Sequence, residues 1–410
     1  MSLRSSTALR VTSAPLTGRP NPSRSAVFAP DSEPRVWVLS SPRAGERTQL
    51  LALADALGCP YEVKRVAHRP FGAALELLGG EHVLGVDLSR SARLEAPWPD
   101  LVLLAHQSNE TVARWIRKQS GGRTRLVLLG RPWSSVEAFD LVVTTPQYEL
   151  PEAANVLQNL LPLHAVTPER LDEAATRWRP RLAHLPRPFV TVMVGGSSGP
   201  YVLDAEAAAR LGREASELAR SLGGSVLVST SARTRPAAID ALFAAVDAPS
   251  YLHRWSAGDP LNPYFGFLGL ADRLVVTADS VSMVAEAFAT GKPVAMFDFG
   301  SGSVPMRENA AVDVGQSLTS RVRGWLYERY MRLPRGRLNR SRDLRIVHQA
   351  LLATGRVTWL GEPAQRVTMR LMGDEMTRTL NRLRGLLSFP PRAMAAEGPR
   401  VLAEPIAVPA

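Results

Sequence analysis

A polar turn between a strand pattern and a helical pattern is the part of the sequence best suited to bind an anion. Residues 274–277 (LVVT) form a short β-branched run typical of a buried parallel strand, and apolar residues recur at helical spacing over 281–288. Asp279 and Ser280 lie between them, and Ser282 follows. The unpaired N–H groups and the dipole at the N-terminus of a helix favour a negatively charged group. The alternative is that Asp279 or Ser280 only caps the helix, and this turn alone leaves both interpretations open.

Two other strand patterns also end in turns that are rich in hydrogen-bond donors. The first, called the glycine turn below, consists of Gly195, Gly196, Ser197 and Ser198. Glycine admits positive φ and lets main-chain N–H groups approach a ligand, although this turn matches neither the Walker A nor the GxGxxG pattern. The second is TSART at 230–234, in which Arg233 either meets a phosphate or is a surface arginine. Three strand ends of this kind together favour an anionic ligand in the second half of the chain.

Two residues in the first half of the chain have side chains that can accept a proton. Glu46 follows the first strand pattern, Arg35–Leu39, and His106 follows the strand pattern at 97–105. Ligands of parallel sheets sit beyond the carboxyl ends of the strands, so we expect Glu46 and His106 to share one rim. A carboxylate in a partly apolar cleft has a raised pKa and can act as a general base, and histidine is the other candidate. The structural alternative for each is a solvated residue on the rim.

The order of the predicted elements indicates the architecture. Strand patterns alternate with helical patterns, which predicts right-handed βαβ crossovers and parallel sheets. We therefore expect an α/β fold with two Rossmann-like domains, and the resemblance described below implies that they face each other across a cleft. The expected divisions are a disordered tail at 1–34, an N-terminal domain at 35–165, a linker at 166–187, a C-terminal domain at 188–345, C-terminal helices at 346–388 and a loose tail at 389–410.

The composition excludes several classes of protein. The chain has 410 residues but no apolar run near the roughly 20 residues that a membrane span needs. Cys59 is the only cysteine, so an internal disulfide and a thiolate metal cluster are excluded. The 7 histidines show no metal-ligand spacing, and we expect neither a metal nor a cofactor. The net charge of +11 suits phosphorylated ligands or an anionic membrane, whereas the lack of any RNA- or DNA-binding motif predicts no nucleic-acid partner.

The stretch 301–345, called the basic stretch below, carries much of the positive charge. It holds ten arginines against four acidic residues, with Trp325, Tyr327 and Tyr330 among them. A basic helix that bears aromatic residues can lie on an anionic membrane surface. The alternative is a helix that packs its aromatic residues on the body of the protein and leaves its arginines solvated. We expect a cytoplasmic protein, with this stretch as a peripheral contact to the inner face of the membrane.

Four segments between about residues 35 and 300 carry a resemblance to a known family. The most specific is NPYFGFLGLADRLVVTADSVSMVAEAFATGKPV at 262–294. The others are GGSS at 195–198, TSART at 230–234 and the AG…Q…LALADALG pattern from Ala44 to Gly58. By these segments the sequence resembles the mitochondrial-fission (elongated-mitochondria) family of bacteria and plants. Its two halves also resemble the GT-B glycosyltransferases, most of all the peptidoglycan N-acetylglucosaminyltransferase and the lipid A disaccharide synthase.

The resemblance to GT-B enzymes implies roles for named residues. The second domain would hold the nucleotide-sugar and the first domain the acceptor. Gly196, Ser197 and Ser198 would contact the diphosphate together with Ser280 and Ser282. One helical turn further on, Glu286 would accept hydrogen bonds from the ribose hydroxyls. The expected site is completed by Gly195, Arg233 and Asp279.

The resemblance is weaker on the acceptor side. Family members tend to have a histidine where this chain has Glu46, and Gly-Arg where it has His106-Gln107. The leading hypothesis is a metal-independent glycosyltransferase that moves a sugar from a nucleotide-diphosphate donor to an envelope or lipid-linked acceptor. The alternative is a non-catalytic nucleotide-binding or scaffold protein of the mitochondrial-fission family.

Overall fold

The computed structural model describes residues 33–70, 80–198, 201–300, 306–307, 342–363, 367 and 375–387. The predicted tails at 1–34 and 389–410 and the predicted basic stretch at 301–345 lie almost entirely outside these residues. Within the described ranges, no helix combines the length and the apolar character needed to cross a bilayer.

The first domain is a parallel sheet of six strands in the order β2-β1-β3-β4-β5-β6. Its strands are β1 (Val36–Leu39), β2 (Tyr61–Lys64), β3 (Leu101–Leu104), β4 (Arg125–Leu129), β5 (Leu141–Thr144) and β6 (Val156–Gln158). Its helices include α1 (Ala44–Leu57), after β1, and α2 (Glu110–Gln119), after β3. Every residue of β1, β3 and β5 is buried, because both faces of the sheet are covered.

The second domain is another parallel sheet of six strands, in the order β12-β11-β10-β7-β8-β9. The strands are β7 (Phe189–Met193), β8 (Ser225–Ser229), β9 (Ser250–His253), β10 (Arg273–Thr277), β11 (Val294–Phe297) and β12 (Val357–Trp359). The helices are α3 (Pro168–Trp178), α4 (Ala205–Ser221), α5 (Pro236–Ala245), α6 (Tyr264–Leu270), α7 (Val281–Ala289) and α8 (Leu344–Leu352). The two sheets confirm the predicted α/β fold with two Rossmann-like domains.

The segment 166–187, predicted as a linker, contains a helix that packs on the second domain. Trp178, at the end of α3, contacts Phe267 and Tyr251 edge to face, with ring centroids 5.5 and 5.7 Å away. Trp178 also lies so close to Gly266 of α6 that a Cβ there would overlap the indole ring. The absence of a side chain on Gly266 therefore lets α3 and α6 pack closely.

The C-terminal part differs from the predicted run of helices over 346–388. Residues 357–359 form β12, which pairs in parallel with β11, and Val357 and Trp359 are buried at this edge of the second sheet. The last helix, α9 (Glu375–Leu387), returns to the first domain and contributes Leu383 to its core. Asn159 donates a hydrogen bond from Nδ2 to Oγ1 of Thr379 on this helix, at 3.0 Å. The end of the described chain thus ties the second domain back to the first.

Candidate functional site

Three polar turns meet at one edge of the second sheet. Strands β10, β7 and β8 are neighbours and run parallel, so their carboxyl ends lie side by side. The glycine turn follows β7, residues 230–234 follow β8, and residues 278–282 follow β10. The structure therefore brings together the three strand ends on which the sequence prediction of an anion site depends.

The glycine turn contacts the turns on both sides of it. The main-chain N–H of Gly195 donates to Oγ1 of Thr277 at 2.8 Å, and its carbonyl accepts from Oγ1 of Thr234 at 3.0 Å. A Cβ on Gly195 would lie 2.7 Å from Oδ1 of Asp279, and one on Gly196 would overlap the main-chain carbonyl of Arg233. Gly196 also has φ of +132°, which side chains rarely adopt. Both glycines are thus required by the close approach of the three turns.

Asp279 and Arg233 form an ion pair under the glycine turn. Nη1 of Arg233 lies 2.8 Å from Oδ2 of Asp279, whose side chain is completely buried, whereas 41% of the arginine side chain is exposed. Burial raises the pKa of Asp279, and the positive charge of Arg233 opposes that rise. Nη1 of Arg233 also donates to the carbonyl of Ser197 at 3.3 Å. Asp279 therefore holds Arg233 against the glycine turn.

The first turn of α7 is not capped by a side chain. Ser280 occupies the N-cap position without a side-chain hydrogen bond to the helix, and the oxygens of Asp279 make no hydrogen bond to it either. The alternative interpretation, in which Asp279 or Ser280 only caps this helix, is therefore not observed. The first N–H groups of a helix have no partner within it, so those of α7 are donors that a ligand at this edge could use.

Glu286 lies one turn further along α7 and is buried with Tyr264 of α6. The hydroxyl of Tyr264 donates a hydrogen bond to Oε2 of Glu286. Only 8% of Glu286 is exposed, and burial raises its pKa to about 7, although the Tyr264 hydroxyl acts in the opposite direction. The pKa of Tyr264 is also raised by its burial and by the nearby carboxylate. Sequence reasoning missed Tyr264 as a partner because nothing in the pattern indicates which side chain faces Glu286.

In the first domain, Glu46 and His106 share the rim beyond β1 and β3. Glu46 lies in the first turn of α1 and accepts from Oγ of Ser41 at 2.6 Å and from Nη1 of Arg43 at 3.0 Å. Burial lowers the pKa of His106, and the negative charge of Glu46 opposes this, so the two groups are near enough to interact. Asn109 links the two strand ends because its Nδ2 donates to the carbonyl of Ser40 at 3.2 Å.

The hydrogen bonds of His106 define which ring nitrogen carries the proton. The main-chain N–H of Ser108 donates to Nδ1 at 3.3 Å, and Oγ of Ser108 lies 2.7 Å from the same nitrogen. An N–H donor requires an unprotonated acceptor, so the neutral ring carries its proton on Nε2. With a lowered pKa, His106 is neutral near pH 7 and presents a donor, while Glu46 presents only acceptors.

The two halves of the predicted site meet where α1 and α7 begin. Nε2 of Gln49 on α1 donates to Oγ of Ser282 on α7 at 3.4 Å. A Cβ on Gly45 would lie 3.3 Å from the same hydroxyl. Since Glu46 follows Gly45, the candidate base of the first domain is close to the start of α7. Gly45 and Gln49 thus meet Ser282 at one interdomain contact.

Arg342 also reaches this region and was not predicted as a site residue. One of its terminal nitrogens donates to Oγ of Ser198 in the glycine turn. In the sequence it is one of ten arginines of the basic stretch, and no local pattern distinguishes it. Asp343 donates its main-chain N–H to the carbonyl of Gln147 in the first domain at 2.9 Å.

Comparison with solved structures finds chains that align with most of the length of this chain. MurG of Acinetobacter baumannii is 14% identical, with 87% of this chain and 91% of that chain covered and a TM-score of 0.38. The UDP-GlcNAc 2-epimerase of Neisseria meningitidis, bound to UDP-GlcNAc, is 10% identical, with 86% and 99% covered and a TM-score of 0.42. Both TM-scores lie below 0.5, so the fold is defined here by the strand order of the chain itself.

Comparison of the sequence identifies the family. The family model described as mitochondrial fission ELM1 matches residues 44–312. The mitochondrial fission protein ELM1 of Arabidopsis thaliana is 28% identical over 232 residues, which cover 51% of this chain and 53% of that protein. The chain thus spans about half the length of the curated relative that it matches. These matches confirm the resemblance stated above, and the chain belongs to the mitochondrial fission ELM1 family.

Proposed function

We propose that the chain is a metal-independent glycosyltransferase that moves a sugar from a nucleotide-diphosphate donor to an envelope or lipid-linked acceptor. The observation that carries this proposal is the interdomain contact at Ser282. There Ser282, in the turn that we propose to bind an anion, contacts Gly45 and Gln49 of the first domain, and Glu46 follows Gly45 in the same helix. A transfer reaction needs these two components together: a group that stabilises the leaving diphosphate and a group that removes a proton from the acceptor.

On the donor side, the diphosphate gains negative charge as the glycosidic bond breaks. The N–H groups at the start of α7, the hydroxyls of Ser197, Ser198, Ser280 and Ser282, and the guanidinium of Arg233 are the groups proposed to stabilise it. Gly195 and Gly196 would admit the phosphates close to the main chain, and Asp279 would position Arg233. Glu286 would accept a hydrogen bond from a ribose hydroxyl.

On the acceptor side, we propose Glu46 as the general base. It carries only acceptor oxygens, whereas the neutral ring of His106 carries its proton on Nε2. His106 would then donate a hydrogen bond to the acceptor and orient it. This assignment predicts that His106→Gln, which keeps a donor, retains more activity than His106→Ala.

The test begins with titration calorimetry of UDP, ADP, GDP and CDP and continues with release of nucleoside diphosphate from the matching sugar donors in the presence of lipid-linked acceptors. Glu46→Gln is expected to lower turnover about 100-fold or more and to leave nucleotide affinity unchanged, because the base acts only on the acceptor. Glu95→Gln, an exposed change in the same domain, is the matched control. Turnover that is equal in Glu46→Gln, His106→Ala and the wild type would refute the assignment.

The alternative is a non-catalytic protein of this family that binds a nucleotide. It is favoured by the environment of Glu46, where both carboxylate oxygens are engaged by Ser41 and Arg43 and one of these partners is cationic. A carboxylate whose two oxygens are both occupied is less available to accept a proton from the acceptor. Nucleotide binding without turnover on any acceptor, and without change in Glu46→Gln, would support this alternative. Failure to bind any nucleotide would exclude both functions.

We also propose that the protein acts in the cytoplasm, at the inner face of the membrane, through the basic stretch. The arginines of the basic stretch other than Arg342 would attract anionic lipid. Co-sedimentation with vesicles of phosphatidylglycerol is expected, and neutral phosphatidylcholine vesicles should leave the protein in the supernatant. Equal sedimentation with both kinds of vesicle, or with neither, would contradict the proposal.

A further inference from the structure

Arg342 lies at a junction between the glycine turn and the first domain. Its guanidinium donates to Oγ of Ser198, and the residue is only half-buried. The next residue, Asp343, contacts Gln147 of the first domain through its main-chain N–H at 2.9 Å. Two consecutive residues thus connect the candidate diphosphate site with the other domain.

The segment that carries Arg342 is anchored on the same strand end as the candidate site. Asp343 caps α8, because its Oδ1 accepts from the main-chain N–H of Arg345 at 3.0 Å. Further along α8, Nε2 of the buried His348 lies 2.8 Å from the carbonyl of Ala278, the residue that precedes Asp279. The start of α8 is therefore held at a definite distance from the turn after β10.

The charges of the site require a cation besides Arg233. The buried carboxylate of Asp279 is paired with Arg233, so these two residues together contribute no net charge. A diphosphate placed beside them would meet a buried negative charge without a net positive one. Arg342 is close enough for its charge to lower the pKa of Asp279. It therefore makes the local sum of charges positive.

Building on the proposed binding of a nucleotide-sugar, we propose that Arg342 is a second cation of the diphosphate site, and that its segment links occupancy of that site to the contact with the first domain. Arg233 would stabilise the diphosphate from the second sheet, and Arg342 would do so from the C-terminal segment. In this arrangement Ser198 holds the guanidinium of Arg342 near the glycine turn until a phosphate oxygen takes the place of its hydroxyl.

The first test compares the affinity of Arg342→Ala and the wild type for whichever of UDP, ADP, GDP and CDP the wild type binds, and for the matching monophosphate. A charge-assisted hydrogen bond lost from the ligand is expected to weaken diphosphate binding about 10-fold to 100-fold. The effect on the monophosphate should be smaller, because one phosphate fewer faces the arginine. Arg342→Lys, which keeps the charge but not the planar donor geometry, should fall between the two.

Arg220→Ala is the matched control. This arginine also pairs with an acidic side chain, Asp247, but it lies just before β8, at the opposite edge of the second sheet. Its removal lowers the net charge by the same amount and should leave affinity unchanged. An equal loss of affinity in Arg220→Ala and Arg342→Ala would show that only the net charge matters and would overturn the proposal.

The second test measures hydrogen exchange of the peptide that spans residues 342–348. The diphosphate should slow its exchange in the wild type and should have no effect in Arg342→Ala, because the link depends on that side chain. A purely structural role for Arg342 would instead raise exchange in Arg342→Ala by the same factor with and without the nucleotide, and the nucleotide would still slow exchange in the variant.

The outcomes distinguish this inference from the proposed function. If the wild type binds no nucleoside diphosphate, the proposed function itself is wrong. If the wild type and Arg342→Ala bind the diphosphate equally well, or if the diphosphate does not change hydrogen exchange over 342–348 in the wild type, only the role of Arg342 is wrong. Should Arg342→Ala fail to fold, Arg342→Gln gives the same comparison with a side chain of similar length.

Discussion

Replacing Glu286 by glutamine should stabilise the protein at neutral and alkaline pH. The glutamate is 8% exposed, and burial raises its pKa from 4.5 to about 7. In the unfolded chain the carboxyl returns to its ordinary pKa. Between these two values the folded state binds the proton more strongly than the unfolded state does, so the free energy of unfolding falls as pH rises. Above the folded pKa the whole contribution has been lost.

The size of the effect follows from the two pKa values. One pKa unit corresponds to about 1.4 kcal/mol. A rise in the pKa from 4.5 to about 7 therefore lowers the free energy of unfolding by about 3 kcal/mol once the carboxyl is ionised in both the folded and the unfolded state. Glutamine is nearly isosteric, cannot ionise, and can still accept a hydrogen bond from Tyr264. Glu286→Gln should therefore match the wild type at low pH and exceed it by about 3 kcal/mol at alkaline pH.

Urea denaturation of both proteins from about pH 4 to about pH 8 is the assay, with Glu217→Gln on the exposed face of α4 as control. The control should show no such dependence on pH. If the free energies of unfolding of Glu286→Gln and the wild type differ by the same amount at both ends of this range, the reasoning is refuted, because only a change in packing would give a difference that does not depend on pH. The same substitution should weaken nucleotide binding if Glu286 accepts a ribose hydroxyl, so stability and binding would change in opposite directions.

Three further predictions follow from particular contacts. Arg233→Met should destabilise the protein by about 2 kcal/mol, which is less than for a fully buried pair because the arginine is partly exposed. Adding Asp279→Asn should restore most of the lost stability, as measured by urea denaturation, but should not restore nucleotide binding. Gly196→Ala should lower the free energy of unfolding by more than 1 kcal/mol and abolish nucleotide binding, whereas Gly258→Ala, also at positive φ but with open space around it, should leave binding intact. Leu383→Ala on α9 should lower the free energy of unfolding by about 2–5 kcal/mol, because this fully buried side chain fills the core of the first domain. Thermal unfolding measures the change, and little loss of stability would show that α9 does not dock there.

The sequence alone predicts most strands of the two sheets and the donor side of the candidate site. Runs such as 189–194 and 274–277 are apolar, β-branched and bounded by turn residues, so their strands are recognisable. Once the strands are known to be parallel, their polar ends must lie on a common edge. This is why the glycine turn and the turn at 278–282 could be placed together before the structure.

Short edge strands and distant partners could not be predicted. Strands β6, β9 and β12 have only three or four residues, too few to show an alternating pattern, and all three are edge strands of their sheets. An amphipathic pattern in α9 shows that one face is buried but not that the first domain buries it. Arg342 is separated by 144 positions from Ser198, and no local pattern encodes that contact.

The most direct test of the central claim is a crystal structure of the protein with a nucleoside diphosphate. We expect the phosphates at the carboxyl edge of β10, β7 and β8, with hydrogen bonds from the main chain of the glycine turn and the start of α7 and with the guanidinium of Arg233 beside them. A diphosphate bound elsewhere on the molecule, or no bound nucleotide at saturating concentration, would contradict the account.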